Sequence, residues 1–300
     1  MKSDSLQAMN IRKIKLGFLK KLKFLPAEIY VSIYYEYYTG KKLDLKNPVD
    51  FNQKIQWLKV YYRLPLLTQL VDKYSVRSYV KEKVGEKYLN ELYAVSDNVW
   101  ELKFKDLPKK FVIKGVHGCH FNLIVKDKSK LNKLKSRWLF FKWLHKNQYY
   151  RGGMEWAYKN VKPRLIAEKF LEETDKDVIN DYKFFCFGGE PKFIEIDIDR
   201  GCNSQQRAFY DLQWNKLPFS KGLKPFEGEV QKPDTLQEMT EVVLKLAEGF
   251  PFVRVDLYSI NNRVLFGEMT FYPADGRTDF YPEKYNEIFG SYITLPQAVK

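Results

Sequence analysis

The segment FVRVDLYSINNRVLFGEMTFYPADGRTDF, from Phe252 to Phe280, constrains this chain most. Two runs rich in Val, Leu, Tyr and Phe flank Asn261-Asn262, a β-hairpin signature. Each run carries one carboxylate among apolar neighbours: Asp256 on the first, Glu268 on the second. A buried carboxylate is costly unless a cation neutralises it, and two opposed in a ladder also repel.

Register decides what the pair can do. A two-residue loop at Asn261-Asn262 pairs Ile260 with Arg263 and sets Asp256 against Gly267. Glu268 then points to the other face, because side chains alternate along a strand. A three-residue loop or one bulge puts Glu268 opposite Asp256. A shared divalent ion would explain such a pair, and hard oxygen ligands suit magnesium. On the hairpin alone, separate pairing with Lys or Arg is the favoured reading.

Three hundred residues suffice for one or two domains with an ample core. Cys119, Cys186 and Cys202 lie far apart with no metal spacing, which fits a reducing compartment such as cytoplasm. No apolar run approaches membrane-spanning length, and no signal peptide is visible. The net charge of +14 implies an anionic partner. No zinc finger, RNA-binding aromatic motif or long Arg-rich tract appears, so nucleic acid ranks low.

Residues 1–25 are basic and amphipathic. Ile11, Ile14, Phe18, Leu22 and Leu25 recur at helical spacing among Arg12, Lys13, Lys15, Lys20, Lys21 and Lys23. Such a helix suits an anionic membrane surface, or packs as an ordinary helix with a solvated face. A helical segment follows to Tyr62, and another runs from Leu70 to Val84. There Lys73 and Arg77 stand one turn apart and could present two cations together. FVIKGVHGCHFNLIV, Phe111 to Val125, reads as strand, glycine-bearing loop, strand. That pattern is a phosphate-covering loop or a plain hairpin. Ser136 to Tyr150 is an aromatic helix expected between layers. Arg164 to Phe170 is a strand, and Asp181 to Asp199 a hairpin turning at Gly188-Gly189. Asp197-Ile198-Asp199 spells the short D-x-D pattern that glycosyltransferases use for metal and nucleotide-sugar. Alternation at a strand end explains it as well.

The order of these features resembles the ATP-grasp fold. It runs from Lys73, through Lys114 with its Gly loop, to Glu168-Lys169-Phe170-Leu171, Lys183, and the Asp256–Glu268 pair. The stretches DKYSVRSYV, FVIKGVHG, RLIAEKFLEE, DYKFFCFGG and GEMTFYPADG are similar to the TupA-like ATP-grasp family, named for teichuronopeptide synthesis and found in polysaccharide gene clusters. The likeness spans about Phe51 to Pro296. Thr270 stands where that fold usually has Asn, and His117-Gly118-Cys119-His120 departs from the family's His-Gly-Ser-Gly.

The resemblance implies an α+β ATP-grasp fold, with two α+β lobes clamping ATP behind a helical N-terminal extension. The expected divisions are 1–62, 63–165 and 166–300. It implies ATP and Mg²⁺ as cofactors. Lys73, Lys114, His117 and Gly118 would meet phosphates. Glu168, Lys169, Phe170 and Leu171 would hold adenine, with Glu172 or Glu173 near ribose. Lys183 and Arg254 would face phosphates or a carboxylate. Asp256, Glu268 and Thr270 would hold the metal. The activity implied is an ATP-dependent carboxylate–amine ligase acting on an acidic, uronic-acid glycan with an amine or amino acid. The expected place of the protein is the cytoplasm, or the inner face of a membrane where residues 1–25 bind anionic lipid. The rival readings are a D-x-D glycosyltransferase and a basic binding protein without catalysis.

Overall fold

The computed structural model describes residues 2–172, 179–198, 206–223 and 225–297, with side chains from Ile11 onward. Asp199 and Glu173 lie outside the described residues.

Helix α1 (Lys2–Leu19) turns through Pro26 into α2 (Ala27–Thr39). Helix α3 (Phe51–Tyr61) starts where Asp50 accepts the Gln53 amide, a side-chain cap. The expected single helix from Leu70 to Val84 is two, α4 (Leu66–Val71) and α5 (Val76–Lys83). Asp72 breaks it. Its carboxylate accepts the amides of Tyr74 and Ser75 at 2.8 and 3.1 Å and is fastened to Arg164 at 2.7 Å. Such side-chain capture of backbone donors competes with helix continuation.

The first sheet contains β1 (Leu92–Ser96), β2 (Phe111–Gly115), β3 (Asn122–Val125) and β4 (Leu165–Lys169), in the order β1-β4-β2-β3. It therefore extends to Lys169. Phe111, Ile113, Leu165 and Ala167 point to one face, where Phe140 and Trp143 of α6 (Lys133–Leu144) cover them. A short α7 (Gln148–Arg151) follows. The aromatic run here is only half interior: Phe140 and Trp143 are buried, while Trp138, Phe141 and Tyr150 are exposed. A lone helix over one sheet face buries a single stripe. By strand alternation, Val112, Lys114, Ile166 and Glu168 take the opposite face.

The second sheet contains β5 (Asp181–Phe187), β6 (Glu190–Ile198), β7 (Gln206–Tyr210), β9 (Phe252–Ile260) and β10 (Arg263–Thr270), in the order β10-β9-β5-β6-β7. Between β7 and β9 come β8 (Ser220–Lys221) and helix α8 (Leu236–Ala247). One face carries Val253, Val255, Leu257, Phe184, Ile194 and Ile196. It packs in one core with Met239, Val242, Val243 and Leu246 of α8. The other face is divided. Its aromatic half, with Phe185, Phe187, Phe193 and Phe252, packs against Phe51 of α3 and Phe289 of α9 (Lys284–Ser291). β11 (Phe280–Tyr281) pairs with β8 beside it. The charged half carries Asp181, Lys183, Glu195, Asp197, Arg254, Asp256 and Glu268, and is the floor of the site.

Candidate functional site

The floor is set by the β9–β10 hairpin. Asn261 and Asn262 both take left-handed backbone angles, φ 48° and 58°, as a two-residue turn matched to strand twist requires. Ile260 pairs with Arg263, and the ladder stays regular to Phe266 opposite Leu257. The next pair is Glu268 opposite Asp256, because Gly267 is a bulge. Only Gly fits there. A Cβ would lie 2.9 Å from the Asp256 carbonyl oxygen.

Arg254 lies across both carboxylates. Its Nε and Nη2 each donate to Asp256 at 2.6 Å. The same Nη2 is 3.1 Å from Glu268 Oε1 and donates to Thr270 Oγ1 at 3.2 Å. Separate cationic pairing, favoured on the hairpin alone, thus gives way to one shared guanidinium. Burial pushes the Asp256 carboxyl up to about 7, opposed by Arg254 and reinforced by Asp181 and Glu268. For Glu268 the upward push of burial is outweighed by Lys73 and Arg254, which hold it at about 2.

One nitrogen within reach of all three expected metal oxygens shows that a single cation can touch the whole set. Two carboxylates and a hydroxyl are hard donors, so the set fits magnesium. Arg254 is then a competing cation already in residence.

The expected phosphate lysines divide. Lys114, on the inner face of the first sheet, donates to Glu168 Oε2 at 2.7 Å. Lys73 sits in the break between α4 and α5. It donates to the Gly118 carbonyl at 2.9 Å and lies 4.0 Å from Glu268 Oε2. It thus ties the glycine loop of one sheet to the carboxylate of the other. Arg77 does not join it, because the Asp72 break turns the two cations apart. Arg77 instead reaches Glu168 Oε1 at 3.4 Å and donates to the Asn90 carbonyl at 2.8 Å.

Two residues expected at the phosphates have protein partners in this structure. The His117 ring is buried behind the loop, with Nε2 2.9 Å from the Trp143 carbonyl and the ring against Phe121. Its partners are core atoms, and burial pushes its pKa down. Gly118 belongs to the loop for a steric reason: a Cβ would meet Phe121 at 3.0 Å and Gln148 at 3.2 Å. Lys183 likewise has carboxylate partners. It is buried and salt-bridged to Asp181 at 2.7 Å and to Asp197 at 2.8 Å, beside Asp256 in the ladder. Burial lowers its pKa, but Asp181, Asp256 and Asp197 outweigh it and the net shift is upward.

The same contacts bear on the D-x-D reading. Asp197 is engaged by Lys183 and by Arg207 at 2.7 Å. Burial raises it, but those cations hold it well below the usual carboxylate range. Asp199, its intended partner, lies outside the described residues.

The segment Lys169–Glu172, the expected adenine hinge, lines a cavity of about 270 Å³ together with Ile260 and Leu265. Asn90 Nδ2 donates to the Lys169 carbonyl at 2.9 Å, which fixes the hinge backbone. Glu173, expected near ribose, lies outside the described residues. A larger cavity of about 1020 Å³ adjoins it along α5 and takes in Arg77 and Arg164.

Sequence reasoning missed Asn90, Arg207, Glu195 and Lys221. Glu195 is buried between Lys221 and Arg207. Burial brings Lys221 down to about 8 against the pull of Glu195. The alternation Phe193, Glu195, Asp197 in β6 was the available signal for one of them.

Residues 53–294 match the family described as TupA-like ATP-grasp. This chain belongs to that family. The ATP-grasp fold, α+β with two sheets meeting over a charged floor, follows from it. No curated protein matches the chain. Among solved structures, it is similar to a D-alanine–D-alanine ligase from Bacillus anthracis, at 15% identity and TM-score 0.41, covering 69% of this chain and 59% of that one. It is also similar to a phosphoribosylamine–glycine ligase from Thermotoga maritima, at 18% identity and TM-score 0.41, covering 68% of this chain and 48% of that one. The chain thus spans about half to three-fifths of these proteins. Among the described residues, no helix is long and apolar enough to cross a membrane.

Proposed function

We propose that this family member is an ATP-dependent ligase that joins a carboxylate to an amine on an acidic cell-surface glycan or its precursor. The observation that carries the reading is the convergence of Lys73, the glycine loop and the Asp256–Glu268 pair across two sheets, with the hinge cavity beside them. Cations on one side and hard oxygens on the other suit a magnesium nucleotide.

ATP would lie with its base in the Lys169–Glu172 cavity and its phosphates under the loop that carries Gly118. Lys114 and Lys73 would neutralise phosphate oxygens, releasing their hold on Glu168 and Gly118. Asp256, Glu268 and Thr270 would hold Mg²⁺, which supplies charge neutralisation on the β- and γ-phosphates when bound. A substrate carboxylate oxygen attacks the γ-phosphorus. The bond to the β-bridging oxygen breaks, giving an acyl phosphate and ADP. The amine nitrogen then attacks the acyl carbon, the C–O bond to phosphate breaks, and the amine loses its proton. Arg254, released from Asp256 and Glu268 once a metal takes them, would face the anionic oxygens in both steps. Phosphoryl transfer of this kind needs positioned charge and excluded water more than covalent help, so no nucleophilic Cys or Ser is required. The acceptor would be met at the inner face of an anionic membrane, which residues 1–25 would reach.

The test is ATP-to-ADP conversion by purified protein, with uronic-acid glycans and amino acids as candidates over a magnesium titration. Acceptor-dependent ADP release with amide formation supports the reading. Nucleotide-sugar hydrolysis without ATP turnover would favour the D-x-D alternative. MgATP binding with no turnover on any acceptor would favour a binding protein.

A further inference from the structure

Among its described side chains, helix α1 presents two apolar faces, and one of them packs against the body of the protein. Leu16 and Leu19 turn inward as half-buried residues, and Gly17 lets the Tyr37 ring of α2 approach, where a Cβ would stand 3.2 Å away. Lys20 lies 3.7 Å over that ring and donates to the Tyr38 hydroxyl at 3.2 Å, and Arg12 pairs with Glu36. The helix is therefore fastened to the body of the protein. On its far side Ile11, Ile14 and Phe18 recur at i, i+3 and i+7 and stand 61%, 74% and 65% exposed. Lys15 flanks this stripe at helical spacing, and Lys21 stands exposed in the turn just after the helix. Neither they nor Lys13 have an ion-pair partner among the described residues. Phe24, 82% exposed, follows in the turn.

An ordinary packed helix does not leave such a stripe in water. We propose that the outer face of α1 is an in-plane docking surface for an anionic lipid bilayer. Ile11, Ile14 and Phe18 enter the acyl boundary, while Lys15 and Lys21 extend to the phosphates beside them. Charge selects this occupant. The chain carries +14 overall, so a second copy would meet this basic face with like charge. Anionic lipid neutralises it. The attachment to α2 gives the docked helix a further consequence: it holds the catalytic body in one orientation instead of on a flexible tether.

The inference extends the membrane placement above and is independent of the ligase chemistry. It is tested by sedimentation of the full-length protein with phosphatidylcholine vesicles and with vesicles containing phosphatidylglycerol. Wild type should bind only the anionic vesicles, and less at high salt. Ile14→Glu with Phe18→Glu should weaken that binding by at least about tenfold. Lys15→Glu with Lys21→Glu should weaken it by about fivefold per charge removed. Both pairs are surface changes, so melting temperature and MgATP binding should match wild type. Equal vesicle binding by the stripe variant would overturn the proposal. So would failure of the wild type to bind anionic vesicles, or concentration-dependent dimerisation that the stripe variant abolishes. None of these outcomes touches the ATP-turnover test.

Discussion

Glu268 stands directly opposite Asp256 because Gly267, one residue earlier, is an extra residue in the β10 strand. The bulge turns a regular hairpin, which would send the two carboxylates to opposite faces, into a platform with both on one side. The chain thereby concentrates negative charge at a point where an internal guanidinium already sits.

That geometry makes Gly267 sensitive to any side chain. Gly267→Ala places a Cβ 2.9 Å from the Asp256 carbonyl oxygen, an atom that cannot move without breaking the ladder. The cost should be about 1–3 kcal/mol, read by denaturant unfolding. Loss of magnesium-dependent nucleotide binding should accompany it. A variant with unchanged stability and binding would show that the bulge does not position the pair.

Arg254 and a metal ion compete for the same oxygens. Arg254→Met should lower metal-free stability by about 3–5 kcal/mol, because it leaves two carboxylates without their shared partner. It should also tighten Mn²⁺ binding in the absence of nucleotide by about tenfold or more, measured by calorimetry. Mg²⁺ should raise the variant's melting temperature more than the wild type's. Unchanged Mn²⁺ affinity would argue against competition.

Lys114 and Glu268 should separate two parts of one reaction. Lys114→Met removes phosphate charge and should weaken nucleotide binding and turnover together. Glu268→Gln keeps the shape but loses the charge a hard cation prefers. Metal-free nucleotide contacts should survive while phosphoryl transfer falls by about 10²–10³. Wild-type turnover by Glu268→Gln at low magnesium would remove that residue from the site.

His117 should give the protein an acid-sensitive core. Burial holds its folded pKa below the ordinary 6.5. The unfolded chain therefore binds the extra proton first as pH falls, and stability drops as pH passes down through the window below 6.5. His117→Gln should show a smaller fall in melting temperature between neutral and mildly acidic pH. An identical fall would place the acid sensitivity elsewhere.

The local pattern of the chain was enough for strands β2 to β6, β9 and β10, the Asn261-Asn262 turn, and the linear order from Lys73 to Glu268. These depend on alternation and turn chemistry, which act over a few residues. Even the need for a bulge or a longer loop was countable from the register. Its location at Gly267 was not, because a bulge is chosen by the close approach of a neighbouring strand. The direction of His117, the salt-bridging of Lys183 by Asp181 and Asp197, and the shared grip of Arg254 were likewise decided in three dimensions. So was the crossing of Lys73 from the glycine loop to Glu268. A cation's partner is whichever carboxylate the packing of sheets and helices brings within a few ångströms, and that distance is a property of the folded chain, not of its order.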